Sequence, residues 1–256
     1  SEAGNICGVL GKIKEVKVGL PTGGGTNEEG KVAQEIPAHL DYDLWCGPSR
    51  MLPYNSKRLH WNWRWCLDYG GGQLMDWIGH HNDIAHWGLG VEHTGPVEVE
   101  ANGEFFVKGP WFHIPKYTVS SKYRRGFTIH ISSELPMGTK WIGQDGWIYV
   151  NRNRTLDAEP KSLLDERIGQ DEIHLAGPVG EDQFGHHRNF LDCIKSRRPS
   201  RSPAAVAHRS ASPGHLGLIA MKLGRKIRWN PDTEQIIGDD TAANLLANAH
   251  RSPWRL

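Results

Sequence analysis

Residues 70–87, Gly70-Gly71-Gly72-Gln73-Leu74-Met75-Asp76-Trp77-Ile78-Gly79-His80-His81-Asn82-Asp83-Ile84-Ala85-His86-Trp87, place two carboxylates and an imidazole at helical spacing. At about 100° per residue, Asp76, His80, Asp83 and Trp87 fall within roughly 60° of one another on a helical wheel. A histidine exchanges a proton near neutral pH, and a carboxylate one turn away can fix its tautomer or balance its charge. The stripe therefore has the composition of an acid–base site. Periodicity alone leaves open an ordinary solvated helix face.

The elements that must position these groups follow from the neighbouring residues. Leu74, Trp77, Ile78, His81, Ile84, Ala85 and Gly88 form a second, broad arc that such a helix would bury, over residues 73–89. The three glycines before it allow a ligand or another backbone to approach the helix start closely. Lys12–Leu20 reads as a strand, Pro21–Pro37 as a glycine-rich loop and Leu40–Trp65 as irregular, aromatic-rich structure. From Val97 to Val150 the period is two, in Val97/Val99, Phe105/Val107, Tyr117/Val119, Phe127/Ile129/Ile131 and Trp147/Tyr149, which predicts an antiparallel meander. A polar, mobile stretch is expected over Leu156–Asp182. Helical spacing returns in Phe184, His187, Phe190, Leu191 and Ile194, and again over Ala204–Leu223 with a bend near Pro213. Short strands at Lys226–Trp229 and Glu234–Ile237 and a helix over Asp240–Ala249 complete the pattern.

The run Gly-Gly-x-Leu-x-Asp-x-x-x-His-x-x-Asp resembles the signature helix of the C-terminal domain of the Gfo/Idh/MocA oxidoreductases, the glucose-fructose oxidoreductase and inositol dehydrogenase family. Leu40-Asp41-Tyr42-Asp43-Leu44-Trp45-Cys46-Gly47-Pro48, His60-Trp61-Asn62-Trp63-Arg64-Trp65 and Gly95-Pro96-Val97-Glu98-Val99 resemble that family's large bacterial branch. So do Gly143-Gln144-Asp145-Gly146-Trp147-Ile148, His187-Arg188-Asn189-Phe190-Leu191-Asp192-Cys193-Ile194 and Arg251-Ser252-Pro253-Trp254-Arg255-Leu256. One departure is Ile78, at a position the family usually gives to glycine, which would narrow the space beside His80.

The resemblance implies an α+β fold, a mainly antiparallel open-faced sheet with helices packed on one face. It implies hydride transfer between a carbinol carbon and NAD or NADP in the full-length protein, with His80 taking the hydroxyl proton and Asp76 orienting or charge-balancing His80. Asp83 would support the helix or contact substrate. The chain lacks a G-x-G-x-x-G after an early strand and the family's Glu-Lys-Pro motif, so no cofactor is expected on this chain itself. It reads as a single domain over residues 1–256, for substrate binding and oligomerisation, excised from a partner dinucleotide-binding domain. A natural stand-alone version stays open.

With 30 Lys plus Arg against 29 Asp plus Glu, no overall field draws the chain to nucleic acid or acidic membranes. The basic run Lys195–Arg201 reads as a helix end and a solvated loop. No apolar run approaches membrane-spanning length. Cys7, Cys46, Cys66 and Cys193 have neither C-x-x-C nor metal-site spacing, which points to free thiols and a reducing, cytoplasmic setting; an exported form stays open. Gly25–Lys31 matches a phosphate-loop pattern, but Val32 replaces the magnesium-binding hydroxyl residue and Glu28 and Glu29 repel phosphate, leaving a flexible surface loop. A metal at His80/His81 is disfavoured because adjacent helical residues diverge by about 100°.

Eleven tryptophans are unusual for this length. In an extended His60–Trp65 segment, Trp61, Trp63 and Trp65 would share one side and Asn62 and Arg64 the other. Indoles stack on the C–H faces of sugars, so the run is either a carbohydrate site or packing against the sheet, the latter expected for at least two of the three. Asp83, Arg64, His60, Tyr69 and Trp87 are the candidate substrate-binding residues, beside catalytic His80 and Asp76. The expected partners are a sugar or polyol, the dinucleotide-binding domain, and a second copy across the open sheet face, where Trp111, Tyr117, Phe127 and Ile129 would be covered. Two other readings stay open: a stand-alone carbohydrate-binding or assembly module, and a cofactor-free glycoside hydrolase or lyase using Asp76, His80 and Asp83.

Overall fold

The computed structural model describes residues 6–23, 32–108, 111–153, 155–166 and 182–254. In chain order the elements are α1 (Ile6–Leu10), β1 (Glu15–Gly19), α2 (Tyr42–Cys46) and α3 (Gly72–Leu89), then β2 (Glu98–Gly103), β3 (Phe106–Lys108), β4 (Trp111–His113), β5 (Tyr117–Lys122), β6 (Thr128–Ser132), β7 (Gly138–Ile142), β8 (Trp147–Val150) and β9 (Leu156–Glu159). They close with α4 (Asp182–Ser196), α5 (Ala204–Leu223), β10 (Ile227–Asn230), β11 (Gln235–Ile236) and α6 (Asp240–Ala243). Nine strands form one sheet in the order β11-β10-β2-β5-β6-β1-β7-β8-β9, and β3 and β4 pair separately. Every pairing is antiparallel except β1 with β6, where Val16 lies opposite Ile129 and Val18 opposite Ile131. The fold is the expected α+β architecture.

The alternation in the strands decides which sheet face is core. Val99, Ser121, Ile129, Val16 and Trp141 form one buried cross-strand row, and Ala101, Val119, Ile131, Val18 and Thr139 the next. α3 covers this face over β1 and β7, and α5 covers it over β2 and β5. The opposite face carries Glu98, Lys122, Thr128 and Glu15 in one row and Glu100, Ser120, His130, Lys17 and Lys140 in the next. Lys226 bridges Glu98 at 2.8 Å and Glu100 at 2.6 Å there. Tyr117, Phe127 and Ile129 therefore do not lie on the open face, where their spacing predicts them. They are 2%, 3% and 0% exposed, beneath the helices, because their strands enter the sheet in the register that turns their apolar residues inward. Three of the four residues expected on that face are thus turned into the core, and the side chain of the fourth, Trp111, lies outside the described residues.

α3 is held from two sides, by the sheet and by α5. Its predicted inner arc is buried, with Leu74, Ile78, His81 and Ala85 inaccessible. Thr139 Oγ1 donates to the His81 carbonyl at 2.8 Å and Trp141 Nε1 to that of Ala85 at 3.3 Å, so β7 pins the helix axis as well as its side chains. α5 closes a second flank, through Gly214, where a Cβ would meet Met75 Sδ at 2.6 Å and Ile78 Cδ1 at 2.7 Å. Ile78 is thus the knob filling the α3–α5 seam, worth about 1.5–3 kcal/mol of burial, and it does not narrow the space beside His80. The second flank also buries Asn82 and His86, beyond the expected arc.

Several expectations change locally. The irregular region contains α2, capped by the Asp41 carboxylate accepting from Leu44 N. His60–Trp65 is a 3₁₀ turn and not an extended segment; Trp61 is 68% and Trp63 44% exposed, so two of the three indoles are not packing residues. The polar stretch begins with β9, an edge strand on β8, and continues into a 3₁₀ turn at Lys161–Asp165; residues 167–181 lie outside the described residues, as does the Gly25–Lys31 loop. α5 is continuous through Pro213. α6 spans only Asp240–Ala243, after which Leu245 N and Leu246 N bond three residues back in tight turns. α4 forms, but Phe190, Leu191 and Ile194 on it are exposed. No helix of the described residues is long and apolar enough to cross a membrane.

Candidate active site

The glycine run has a specific job. A Cβ on Gly70 would collide with the Cα and carbonyl of Arg64, and Gly71 enters α3 at φ +75°. The chain before the helix therefore folds back until the 3₁₀ turn touches the helix start, and Cys66 O accepts from Gly70 N at 2.8 Å. Residues at i and i+3 eclipse in a 3₁₀ turn. Arg64 accordingly lies over Trp61, its Cζ 3.8 Å from the ring centroid, and 4.7 Å from that of Trp65. Trp65 is fixed in turn by Nε1 donating to Gln73 Oε1 at 2.7 Å. Held between indoles, Arg64 presents Nε to Asp76 Oδ1 at 3.5 Å, a close charge pair with side chains 21% and 18% exposed.

One turn on, His80 is exposed and makes an edge-to-face contact with Trp77 at 5.3 Å between centroids. Its pKa is lowered, first by partial burial and next by the positive charge of Arg152; Asp76 opposes this with the smallest effect. Both leading effects favour the neutral imidazole, the form that accepts a proton. Asp76 faces Arg64 at 3.5 Å as well as His80 one turn on. Tyr117 sits beneath, its phenol raised first by burial and then by the nearby Asp76 carboxylate, and donates to Pro21 O at 3.2 Å.

The structure brings together three predicted residues, Asp76, His80 and Arg64, and separates the rest. Asp83 shares the helical stripe but meets Ser210 Oγ of α5 in a close hydrogen bond. It ties α3 to α5. Trp87 lies about two turns, roughly 10.5 Å, beyond His80 along the axis. His60 is exposed at the head of the 3₁₀ turn with φ +52°. Tyr69 donates to Arg50 O at 3.1 Å, packs edge-on to Trp45, and lines a different cavity of about 1490 Å³ with His208, His215 and Glu234. His80 and His81 diverge as the helix requires, one exposed and one buried, and among the described residues no group of three His, Cys, Asp or Glu is placed to hold a metal ion.

Two features escaped sequence reasoning. Arg152 and Trp77 join His80, and the only signal for Arg152 was its place in a strand-to-strand turn. Below the site, His86 Nε2 meets Tyr123 Oη at 2.6 Å, while Asn82 Nδ2 donates to the Ser210 carbonyl at 2.8 Å. Burial pushes His86 down to about 4.

No curated protein matches the sequence significantly. Among solved structures, the fold is similar to that of an aldose–aldose oxidoreductase from Caulobacter crescentus complexed with glycerol, at 17% identity and a TM-score of 0.55, covering 86% of this chain and 57% of that one. It is also similar to the WlbA dehydrogenase from Bordetella pertussis in complex with NADH and UDP-GlcNAcA, at 18% identity and a TM-score of 0.52, covering 87% and 57%. At such identities the likeness is one of fold, and this chain spans a little over half the length of either protein. The model of an oxidoreductase family's C-terminal alpha/beta domain matches residues 23–256, and on that match, which takes in the glycine run, the Asp76–His80 helix and the whole sheet but for β1, the chain belongs to the Gfo/Idh/MocA oxidoreductase family.

Proposed function

We propose that this chain supplies substrate binding and proton transfer to an NAD(P)-dependent sugar or polyol oxidoreductase and does no redox chemistry by itself. The observation that carries the reading is an exposed His80 one helical turn from Asp76, which Arg64 of the 3₁₀ turn meets at 3.5 Å. The hydroxyl of a carbinol substrate can reach His80 from solvent, donate its proton to the imidazole as the C–H bond breaks, and be oriented by the Asp76 carboxylate and the Arg64 guanidinium. The exposed faces of Trp61 and Trp63 are surfaces on which a sugar ring can stack.

Nicotinamide supplies the hydride acceptor when bound. The open stripe suits the carbinol end of that exchange: its groups bind hydroxyls, and among the described residues no glycine-rich strand-to-helix turn is placed to hold a pyrophosphate. In the related fold of WlbA, NADH is bound, and the proposal assigns the dinucleotide to a domain outside this chain. A homo-oligomer joined at the open sheet face belongs to the same reading, through its polar rows.

The test compares the chain alone with the chain joined to a dinucleotide-binding domain. The joined protein is expected to oxidise sugars or polyols only with NAD(P)⁺, and the chain alone to bind neither dinucleotide by calorimetry. Glycoside cleavage by the isolated chain, or micromolar dinucleotide binding to it, would overturn the assignment.

A further inference from the structure

The stripe around His80 holds two arginines in unlike situations. Arg64 has Asp76 at 3.5 Å. Arg152 has no carboxylate partner among the described residues; its Cζ lies 5.5 Å from the centroid of the same Trp77 ring that His80 touches edge-on at 5.3 Å. Its side chain is exposed, but the turn that carries it is held. The turn between β8 and β9 is closed by Asn151 N donating to Thr155 O at 3.1 Å, while Asn151 Oδ1 accepts from Asn153 N at 2.9 Å and Thr155 N at 3.2 Å. Asn151 Nδ2 is itself held by Tyr149 Oη at 3.2 Å, and that hydroxyl donates to Met137 O at 2.6 Å. A chain of five hydrogen bonds thus fixes the turn that displays Arg152 beside the proton acceptor.

Summed over this patch, Asp76 balances Arg64 and one positive charge is left over, next to a histidine that must stay neutral to work. An uncompensated guanidinium beside a reacting centre is unfavourable for protonating His80 and favourable for binding an anion, since its planar fork bonds a carboxylate or phosphate in two places. Resting on the proton-transfer reading above, we infer that the substrate is a sugar bearing an oxyanion, a carboxylate or a phosphate, and that Arg152 binds this group against Trp77 and so sets specificity. Bound there, the oxyanion offsets the charge of Arg152, and His80 can then take the hydroxyl proton without facing a bare cation.

The experiment follows the His80 ring resonances of the chain by NMR while D-glucuronate, D-glucose 6-phosphate and D-glucose are titrated in at constant ionic strength. At least one anionic probe is expected to bind tenfold or more tighter than glucose. Arg152→Gln removes that margin, Arg152→Lys keeps part of it, and Lys17→Gln on the far sheet face leaves it unchanged. Arg152→Gln also raises the His80 pKa, because a nearby cation has gone. Preference for glucuronate identifies a sugar acid and preference for the phosphate a phosphorylated sugar. Equal binding of all three probes, or anion binding indifferent to Arg152→Gln, overturns the oxyanion assignment and leaves proton transfer by His80 standing. If no probe, neutral or charged, perturbs His80, the parent reading falls with it.

Discussion

The two halves of α3 carry the same kinds of residue and use them differently. In the first half, Asp76 is met by Arg64, held between two indoles, and His80 is exposed with Arg152 nearby. In the second, Asp83 and His86 are met by Ser210 and Tyr123, from α5 and the end of β5, in a closed interior. Both carboxylates lie on one stripe of the wheel, so direction alone does not separate them. What separates them is what covers them: α5 packs along α3, with Gly214 against Met75 and Ile78, and its Ser210 hydroxyl closes over Asp83, whereas Asp76 is met by Arg64 and His80 stays exposed. Acid–base chemistry needs access, and a helix pair needs satisfied buried groups. One helix supplies each along a different part of its length.

The largest effect should come from the open half. His80→Ala in the joined enzyme removes the proton acceptor and is expected to lower turnover by about 10²-fold or more, equivalent to roughly 2.7 kcal/mol in the barrier. Its denaturation midpoint should stay that of the parent, because His80 is exposed. Steady-state kinetics beside a urea titration measure both; a stability loss with normal turnover would merge the two halves again.

The closed half should answer to pH through His86. Its folded pKa of about 4 lies below the ordinary value of 6.5, so the folded state favours the neutral ring. Stability is full above pH 6.5 and is lost as pH falls from there toward 4, by about 3 kcal/mol for this group. His86→Gln should flatten that part of the stability–pH curve, read as urea midpoints at pH 4.5 and 7. An unchanged slope would mean that the Tyr123–His86 contact does not exclude the proton.

Asp76→Asn sharpens the first half from within. It removes the one nearby charge that favours protonated His80, so the acid limb of the pH–rate profile should move to lower pH. Turnover should fall by roughly tenfold as Arg64 loses its partner, the size of one pKa unit of interaction. A profile that moves the other way would show that Asp76 acts on His80 through something other than its charge.

Much of this was legible in the chain, and the limits have physical causes. The strand alternation of Val16/Val18 and Ile129/Ile131 specified the sheet, because period two survives any register. It could not say which face of the sheet the helices cover, and Tyr117, Phe127 and Ile129 were assigned outward for that reason. The Gly70–Gly72 run announced a close approach without naming Arg64 as what approaches. The Trp61–Trp65 alternation pointed to an extended segment, but the following glycines let the chain tighten into a 3₁₀ turn, which exchanged an i, i+2 pairing of indoles for the i, i+3 stack of Arg64 on Trp61. Arg152 comes from a turn seventy-two residues after His80, and only tertiary structure places it there.

Asp83→Asn should give the smallest effect and bears most directly on the comparison. Burial raises the Asp83 pKa, the Ser210 hydrogen bond partly offsets that, and Glu92 adds to it. For an acid raised in the folded state, the penalty for ionisation grows as pH climbs from 3.8 through the folded value and persists above it. Asparagine keeps the size and a hydrogen-bonding group for Ser210 but carries no charge to desolvate. Its stability at pH 7 should therefore lie within about 1 kcal/mol of the parent, on whichever side the lost charge-assisted bond and the lost penalty balance. Turnover in the joined enzyme should be unchanged, since Asp83 faces α5. Thermal melts between pH 4 and 7 show the difference as a variant that gains on the parent as pH rises. Should Asp83→Asn instead abolish turnover while leaving the melts alone, the whole stripe is catalytic, α5 does not divide it, and coverage is not what sets the two halves apart.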